Sequence, residues 1–188
     1  MYRDGASAGD FVIAEVGAGA DVTLLRPGVW FLSNPSARDG NIVDPRTIDR
    51  ILAAGHKLFY DVSYARSTAP AVYDVSHPNV DAVAVSFSKP FGLFYLRIGF
   101  LFSTTNVPGL EGNIWFKNVP SPIAADAVLR ELDIDVYAAQ LKDTQADIIA
   151  DLNAAHGLGL HASDAFLLAH LPLEEAERLT EAQRQSIA

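Results

Sequence analysis

Seven polar side chains stand at the ends of apolar segments in this sequence, where they could together bind one small ligand. The residues are Asn34, Asp61, Tyr64, Ser86, Ser88, Lys89 and Arg97. The amine of a lysine can attack an aldehyde, and an arginine near serine hydroxyls can hold a phosphate group. A carboxylate can keep a ring nitrogen protonated, while a phenol and an amide can form hydrogen bonds with a ring oxygen. These groups fit a phosphorylated aromatic aldehyde that contains a ring nitrogen.

The apolar segments that precede these side chains have the pattern of β-strands. Short apolar runs bounded by Gly, Pro, Asn, Asp or Ser predict strands. The predicted strands are DVTLLR (21–26), VWFLS (29–33), KLFYDVSY with its loop (57–64), VDAVAVSFS (80–88) and IGFLFST (98–104). The fourth is apolar enough to be buried on both faces, as strands of parallel sheets are. The segment NPSARDG at residues 34–40 is predicted to be a loop.

Helical segments alternate with these strands. Residues 44–55 predict a helix with Asp44 as its N-cap and Pro45 in its first turn. Its apolar face consists of Ile48, Ile51 and Leu52. A short helix is also predicted at residues 9–18.

The pattern changes in the last third of the chain. Residues 121–156 predict a long helical stretch that ends at a glycine, and residues 158–172 predict one or two strands. A final amphipathic helix is predicted at residues 173–188, where Glu174 and Arg178 are spaced to form an ion pair.

This order of elements predicts an α/β fold with an open, mostly parallel sheet and flanking helices. We expect two parts, a larger ligand-binding part at residues 1–120 and a helical link with a partial small α+β unit at residues 121–188. In an open α/β sheet, ligands bind at the carboxyl ends of the parallel strands. The seven polar side chains fall at those ends.

A ligand that would use all seven groups is pyridoxal 5′-phosphate. At this point the sequence resembles the fold-type I pyridoxal-phosphate enzymes, and specifically the class I/II aminotransferases. The resemblance lies in three motifs in order, NPSARDG, DVSY and SFSKPFGLFYLRIG. Their spacing also resembles the family's, with 27 residues from Asn34 to Asp61, 28 from Asp61 to Lys89, and eight from Lys89 to Arg97.

The resemblance implies how the cofactor ring would be held. Lys89 would form a Schiff base with the cofactor aldehyde, and Asp61 would pair with the pyridinium nitrogen. Asn34 and Tyr64 would form hydrogen bonds with the ring hydroxyl oxygen. Of these residues, Lys89, Asp61 and Tyr64 would take part in catalysis.

The resemblance also implies a phosphate site, a reaction and an assembly. Ser86 and Arg97 would hold the phosphate, and Ser88 would assist there. The reaction would transfer an amino group between an amino acid or amine and a 2-oxo acid. The family is dimeric, so we expect a homodimer.

Two features of the family pattern have no counterpart in this sequence. One is the helix start rich in Gly, Ser and Thr that binds the phosphate, together with the aromatic residue that stacks on the pyridine. The other is the arginine that binds the substrate carboxylate, because Arg178 and Arg184 both lie on the predicted final helix. Loss of the phosphate contacts would weaken cofactor binding, since each such hydrogen bond contributes about 1.5–3 kcal/mol.

Two other functions therefore stay open. The same cofactor could serve β-elimination, decarboxylation or racemisation, because the fold permits all of these reactions. The chain could also be a degenerate, non-catalytic relative with a structural or regulatory role. Taken singly, each site residue also has a simpler explanation, such as a turn at Asn34 or a solvated Lys89.

Composition excludes several other classes of function. The net charge of −9 argues against broad binding to nucleic acids or anionic membranes, which requires a basic surface. The absence of cysteine excludes disulfides, thiolate zinc sites and a cysteine nucleophile. The histidines lack the spacing of metal ligands, so no metal is expected. We expect a soluble cytoplasmic protein, because no signal peptide or long apolar segment is present.

Overall fold

A four-stranded sheet forms the centre of the computed structural model, which describes residues 21–110 and 118–186. Its strands are β1 (Val29–Ser33), β2 (Lys57–Asp61), β3 (Val80–Ser86) and β4 (Gly99–Ser103), and they lie side by side in chain order. β1, β2 and β3 run parallel to one another, and β4 runs antiparallel to β3. The predicted α/β fold with a mostly parallel sheet is confirmed.

The first long helix, α1 (Pro45–Ala53), covers one face of this sheet. The carboxylate of Asp44 accepts a hydrogen bond of 2.9 Å from the backbone N–H of Arg46 and caps the helix, as predicted. The predicted apolar face is buried. The core that it joins contains Ile48, Leu52, Leu58, Tyr60, Val62 and Val80.

The prediction of a strand at residues 21–26 is wrong. The segment instead contains a short 3-10 helix at Val22–Leu24. Asp21 accepts a hydrogen bond from the N–H of Thr23 and so caps this turn. The buried ring of His56 then holds the segment, since its Nε2 lies 3.0 Å from the carbonyl oxygen of Val22 and its Nδ1 accepts from the N–H of Gly28. The hydrogen bonds of Asp21 and His56 therefore determine the conformation of this segment, although its apolar pattern is typical of a strand.

The second half of the chain is mainly helical. Its elements are α2 (Pro120–Glu131), α3 (Ile134–His156), β5 (His161–Ala162), β6 (Ala169–His170), α4 (Leu173–Arg178) and α5 (Glu181–Ser186). β5 and β6 form a small antiparallel hairpin, so the prediction of one or two strands here is confirmed. None of the helices in the described ranges combines the length and apolar character needed to span a bilayer.

Two predictions about these helices are wrong in detail. The predicted long helix is divided between α2 and α3, because the carboxylate of Asp133 accepts hydrogen bonds from the N–H groups of Asp135 and Val136 and starts a new helix. The final helix is likewise divided into α4 and α5. Within it Arg178 pairs with Glu175 rather than with Glu174. The helix predicted at residues 9–18 lies outside the described residues.

The loop after β1 is tied to the turn that joins β5 and β6. The hydroxyl of Ser163 donates to the carbonyl oxygen of Asp39 at 2.5 Å, and the N–H of Ile42 donates to the carboxylate of Asp164 at 2.8 Å. Gly40 fits this junction because its φ is 74° and an added Cβ would lie 2.7 Å from the Cβ of Ser163. The second half of the chain thereby fixes the loop that begins at Asn34.

Candidate active site

The sheet brings all seven predicted site residues to one edge. The parallel strands β1, β2 and β3 end at this edge, and the antiparallel strand β4 begins there. Backbone hydrogen bonds join the strand ends. The N–H of Asn34 donates to the carbonyl oxygen of Asp61 at 2.9 Å, and the N–H of Phe87 donates to the carbonyl oxygen of Ile98 at 3.1 Å. Residues far apart in sequence therefore share one edge, as strand order predicts.

Asn34 is buried at this edge and follows β1, with a cis peptide bond to Pro35. Its side-chain Nδ2 donates to the hydroxyl of Tyr60 at 2.5 Å, and its Oδ1 accepts from the N–H of Val43 at 2.9 Å. The amide is therefore oriented by the core and by the loop together. Sequence analysis did not identify Tyr60 as its partner, because a tyrosine inside a strand has the same apolar signature as any core residue.

We expect Tyr60→Phe to lower the free energy of unfolding by about 1–2 kcal/mol at neutral pH, because the buried Asn34 amide loses its acceptor. Burial raises the pKa of the Tyr60 phenol above its ordinary value of 10.0. Such a group stabilises the fold fully below pH 10 and loses this contribution as the pH rises through the folded pKa. The difference in unfolding free energy between wild type and Tyr60→Phe should therefore become smaller above pH 10, as measured by urea unfolding. Tyr95→Phe, at a hydroxyl-bearing side chain that is 97% exposed, is the control; an undiminished deficit at high pH would contradict the prediction.

The carboxylate of Asp61 ends β2 and is held by serines on both sides. The N–H and the hydroxyl of Ser63 both donate to its Oδ1, at 3.0 and 2.5 Å. The hydroxyl of Ser33, which ends β1, lies 3.5 Å from Oδ2. Neither serine was singled out by sequence analysis. The signal for Ser63 is its position two residues after an aspartate, which is typical of a turn closed by the carboxylate.

Lys89 follows β3 and is half-buried between aromatic rings. Its Nζ lies 5.5 Å from the centre of the Tyr64 ring and 5.6 Å from that of Phe94. The ring faces attract the ammonium without donating or accepting a proton. No carboxylate forms an ion pair with Lys89 in the part of the chain that the structure describes. The amine thus lies near the Tyr64 ring, and within the described residues no salt bridge competes for it.

The predicted phosphate-binding residues lie at the end of β3 and in the loop that joins it to β4. The hydroxyl of Ser86 accepts a 3.1 Å hydrogen bond from the N–H of Ser88, which is itself buried. Arg97 is exposed, and its backbone adopts the left-handed conformation at φ 48°, ψ 51°, which costs a non-glycine residue about 1–2 kcal/mol. Backbone strain of this kind clusters at functional sites. This conformation follows the short 3-10 helix Phe94–Leu96 and directs the chain into β4.

Gly99 is a further residue of this edge that sequence analysis missed. It begins β4 opposite Ser86, and a Cβ there would overlap the carbonyl oxygen of Val85 and lie 3.3 Å from the Cα of Ser86. Only glycine allows the backbones of β3 and β4 to approach so closely. The position of Arg97, two residues earlier, depends on this approach.

The groups at this edge fit a phosphorylated pyridine aldehyde. Five kinds of polar group lie around the ends of four adjacent strands. They are an amine, a carboxylate held in one orientation, a buried amide, a phenol and an exposed guanidinium. A carboxylate can pair with a protonated pyridine nitrogen, an amine can condense with an aldehyde, and a guanidinium can bind a phosphate. The set matches that ligand group by group.

Comparison with known proteins points to one family. The family model described as aminotransferase class I and II matches residues 18–186. Histidinol-phosphate aminotransferase 1 of Carboxydothermus hydrogenoformans is 30% identical over 143 residues, which make up 74% of this chain and 40% of that protein.

Two solved structures have the same fold. L-threonine-O-3-phosphate decarboxylase from Porphyromonas gingivalis matches with a TM-score of 0.64 and 22% identity, over 90% of this chain and 56% of that one. A PLP-bound protein from Clostridium difficile, classed among the aminotransferases, matches with a TM-score of 0.64 and 14% identity, over 85% of this chain and 46% of that one. At these identities the likeness establishes the fold. The chain spans about half the length of these relatives or less.

Proposed function

The chain belongs to the family of class I and II aminotransferases, and from this premise we propose that it binds pyridoxal 5′-phosphate through Lys89 and transfers amino groups. The transfer would run between an amino acid or amine and a 2-oxo acid. Enzymes of this family use pyridoxal phosphate. The observation that carries the proposal is the Nζ of Lys89 at 5.5 Å from the Tyr64 ring, on the same sheet edge as the carboxylate of Asp61.

Each residue of the edge has a proposed role toward the cofactor. When bound, pyridoxal phosphate supplies an aldehyde that condenses with amines and a ring that withdraws electrons. Asp61 would hold the proton on the ring nitrogen, because its carboxylate is fixed by Ser63. Asn34 and Tyr64 would orient the ring through its hydroxyl oxygen. Lys89 would attach the cofactor.

The remaining roles are phosphate binding and proton transfer. Arg97 would bind the phosphate with Ser86 and Ser88, because Ser86 ends β3 and the other two lie in the loop that follows it. The Nζ of Lys89 could also accept the proton that the substrate Cα must lose. The amine lies between the rings of Tyr64 and Phe94 and has no ion pair within the described residues, so no carboxylate there holds it away from the substrate.

Amino transfer can be tested with a ¹⁵N-labelled amino donor. The purified protein, loaded with pyridoxal phosphate, is mixed with labelled glutamate and a panel of 2-oxo acids, and the products are identified by mass spectrometry. We expect ¹⁵N in a new amino acid, and none with Lys89→Ala. Release of carbon dioxide or ammonia without label transfer would replace amino transfer with another reaction of the same cofactor. No turnover of any kind would favour a non-catalytic role.

We also propose that the protein is a homodimer. Phe31, Phe100 and Phe102 lie on the outer strands β1 and β4 and are between 49% and 61% exposed. Apolar side chains exposed on the outer strands of a sheet favour association with another surface. Size-exclusion chromatography with light scattering should give twice the mass of the 20.2 kDa chain. A single-chain mass at micromolar concentration would contradict the proposal.

A further inference from the structure

The same tripeptide turn occurs three times in the described residues, and only one copy lies at the candidate active site. In each copy an aspartate is followed by valine and then by a serine or threonine. The copies are Asp21–Val22–Thr23, Asp61–Val62–Ser63 and Asp74–Val75–Ser76. In all three, the third residue donates both its N–H and its hydroxyl to the Oδ1 of the aspartate.

The geometry of the three turns is nearly the same. The hydroxyl lies 2.7 Å from the carboxylate at Thr23, 2.5 Å at Ser63 and 2.7 Å at Ser76. The N–H lies at 3.0, 3.0 and 2.9 Å in the same order. The turn therefore forms from its local sequence, whether it is exposed or placed at the end of a buried strand.

The two copies outside the site show what this turn does to a carboxylate. The hydroxyl and the N–H of Thr23 hold the pKa of Asp21 below its usual value. The N–H and the hydroxyl of Ser76 do the same to the pKa of Asp74. Both shifts arise because the two donors stabilise the ionised carboxylate. In these two exposed copies the turn therefore favours the ionised carboxylate.

We propose that Ser63 is a positioning residue, whose hydroxyl fixes the carboxylate of Asp61 so that it can bind the ring nitrogen of the cofactor. This inference rests on the proposed function. The two donors of Ser63 converge on Oδ1, and the hydroxyl of Ser33 on β1 faces Oδ2. With both oxygens flanked, rotation of the carboxylate is restricted.

The hydroxyl carries this effect because it is the shorter of the two bonds. In Ser63→Ala the N–H of residue 63 would remain 3.0 Å from Oδ1, so the turn would still close. The carboxylate would lose one charge-assisted hydrogen bond and could rotate. In Ser63→Thr the hydroxyl would be retained, and Thr23 shows that threonine forms the same pair of bonds.

The experiment compares wild type, Ser63→Ala, Ser63→Thr and Ser76→Ala by titration with pyridoxal phosphate, followed through the visible absorbance band. Ser63→Ala should raise the dissociation constant by about 10- to 150-fold, the range that corresponds to one hydrogen bond to a charged group. It should also move the pH midpoint of the band upward, because a less firmly held ring proton leaves less positive charge near the lysine–cofactor bond. Ser63→Thr should resemble wild type. Ser76→Ala, which removes the equivalent hydroxyl from the exposed copy, should leave both readouts unchanged.

The outcomes separate this inference from the proposed function. If wild type shows no visible band, the proposed function fails, and this inference fails with it. If wild type binds and Ser63→Ala matches it in both affinity and pH midpoint, only the positioning role is overturned. Urea unfolding without cofactor provides a further check. If Ser63→Ala binds the cofactor more weakly only because part of the protein is unfolded, and the pH midpoint does not change, the positioning role is also overturned.

Discussion

Replacing Lys89 by alanine should abolish the covalent capture of pyridoxal phosphate. In the wild type we expect a visible absorbance band that borohydride converts into a permanent attachment, because the amine of Lys89 is half-buried and forms no salt bridge within the described residues. The variant should show neither the band nor the attachment, as measured by spectrophotometry and intact-protein mass. The stability of the fold should change little, because within the described residues the contacts of Lys89 are those with the rings of Tyr64 and Phe94.

The matched control for this result is Lys142→Ala, which removes an exposed amine on α3. It should retain the band and the attachment at wild-type level. Equal loss in both variants would indicate nonspecific reaction of surface amines with the aldehyde. Retention of the band in Lys89→Ala would place the covalent site elsewhere.

Gly99→Ala should lower the free energy of unfolding by about 3 kcal/mol, the upper range for overpacking a tight contact. The new Cβ would overlap the carbonyl oxygen of Val85, which belongs to the backbone of β3 and cannot move without disturbing the sheet. Cofactor binding should weaken as well, because the loop with Arg97 enters β4 at this residue. Urea unfolding and cofactor titration measure the two effects.

Gly28→Ala provides the comparison for this substitution. Gly28 directly precedes β1, and within the described residues a Cβ there would meet the carbonyl oxygen of Arg26 at an ordinary distance of 3.8 Å. Its cost should stay below about 1 kcal/mol. Equal stability of the two variants would show that β3 and β4 can separate at Gly99 without penalty.

The strands and the first helix could be predicted from the sequence because local and tertiary signals agree there. In α1 the cap at Asp44, the proline in the first turn and the apolar spacing all indicate the same helix. The candidate site residues could be placed at one edge of the sheet for a related reason. They follow apolar runs, and parallel strands bring the ends of such runs to one edge.

Other features depend on contacts that have no local signature. The segment at residues 21–26 has an apolar pattern, but the ring of His56, which is 34 residues beyond Val22 in sequence, holds it in a different conformation. The need for glycine at position 99 arises from the backbone of β3, which the sequence of β4 does not reveal. The hydrogen bond between Asn34 and Tyr60 likewise joins two strands. Partners of this kind become visible only in three dimensions.

The proposed role of Ser63 depends partly on local sequence and partly on tertiary contacts. The turn that it closes is local, and its three copies show that the sequence Asp–Val–Ser/Thr is enough to form it. What the local sequence does not show is that one copy ends a central strand beside Ser33. A common turn thus becomes part of a candidate active site through its place in the sheet.

Peptide mapping after borohydride reduction tests the central claim most directly. The wild-type protein is incubated with pyridoxal phosphate, reduced and digested, and the modified lysine is identified by mass spectrometry. The structure predicts modification at Lys89, with Lys57, Lys117 and Lys142 unmodified at stoichiometric cofactor. Modification spread evenly over the four lysines, or confined to one other than Lys89, would contradict the account.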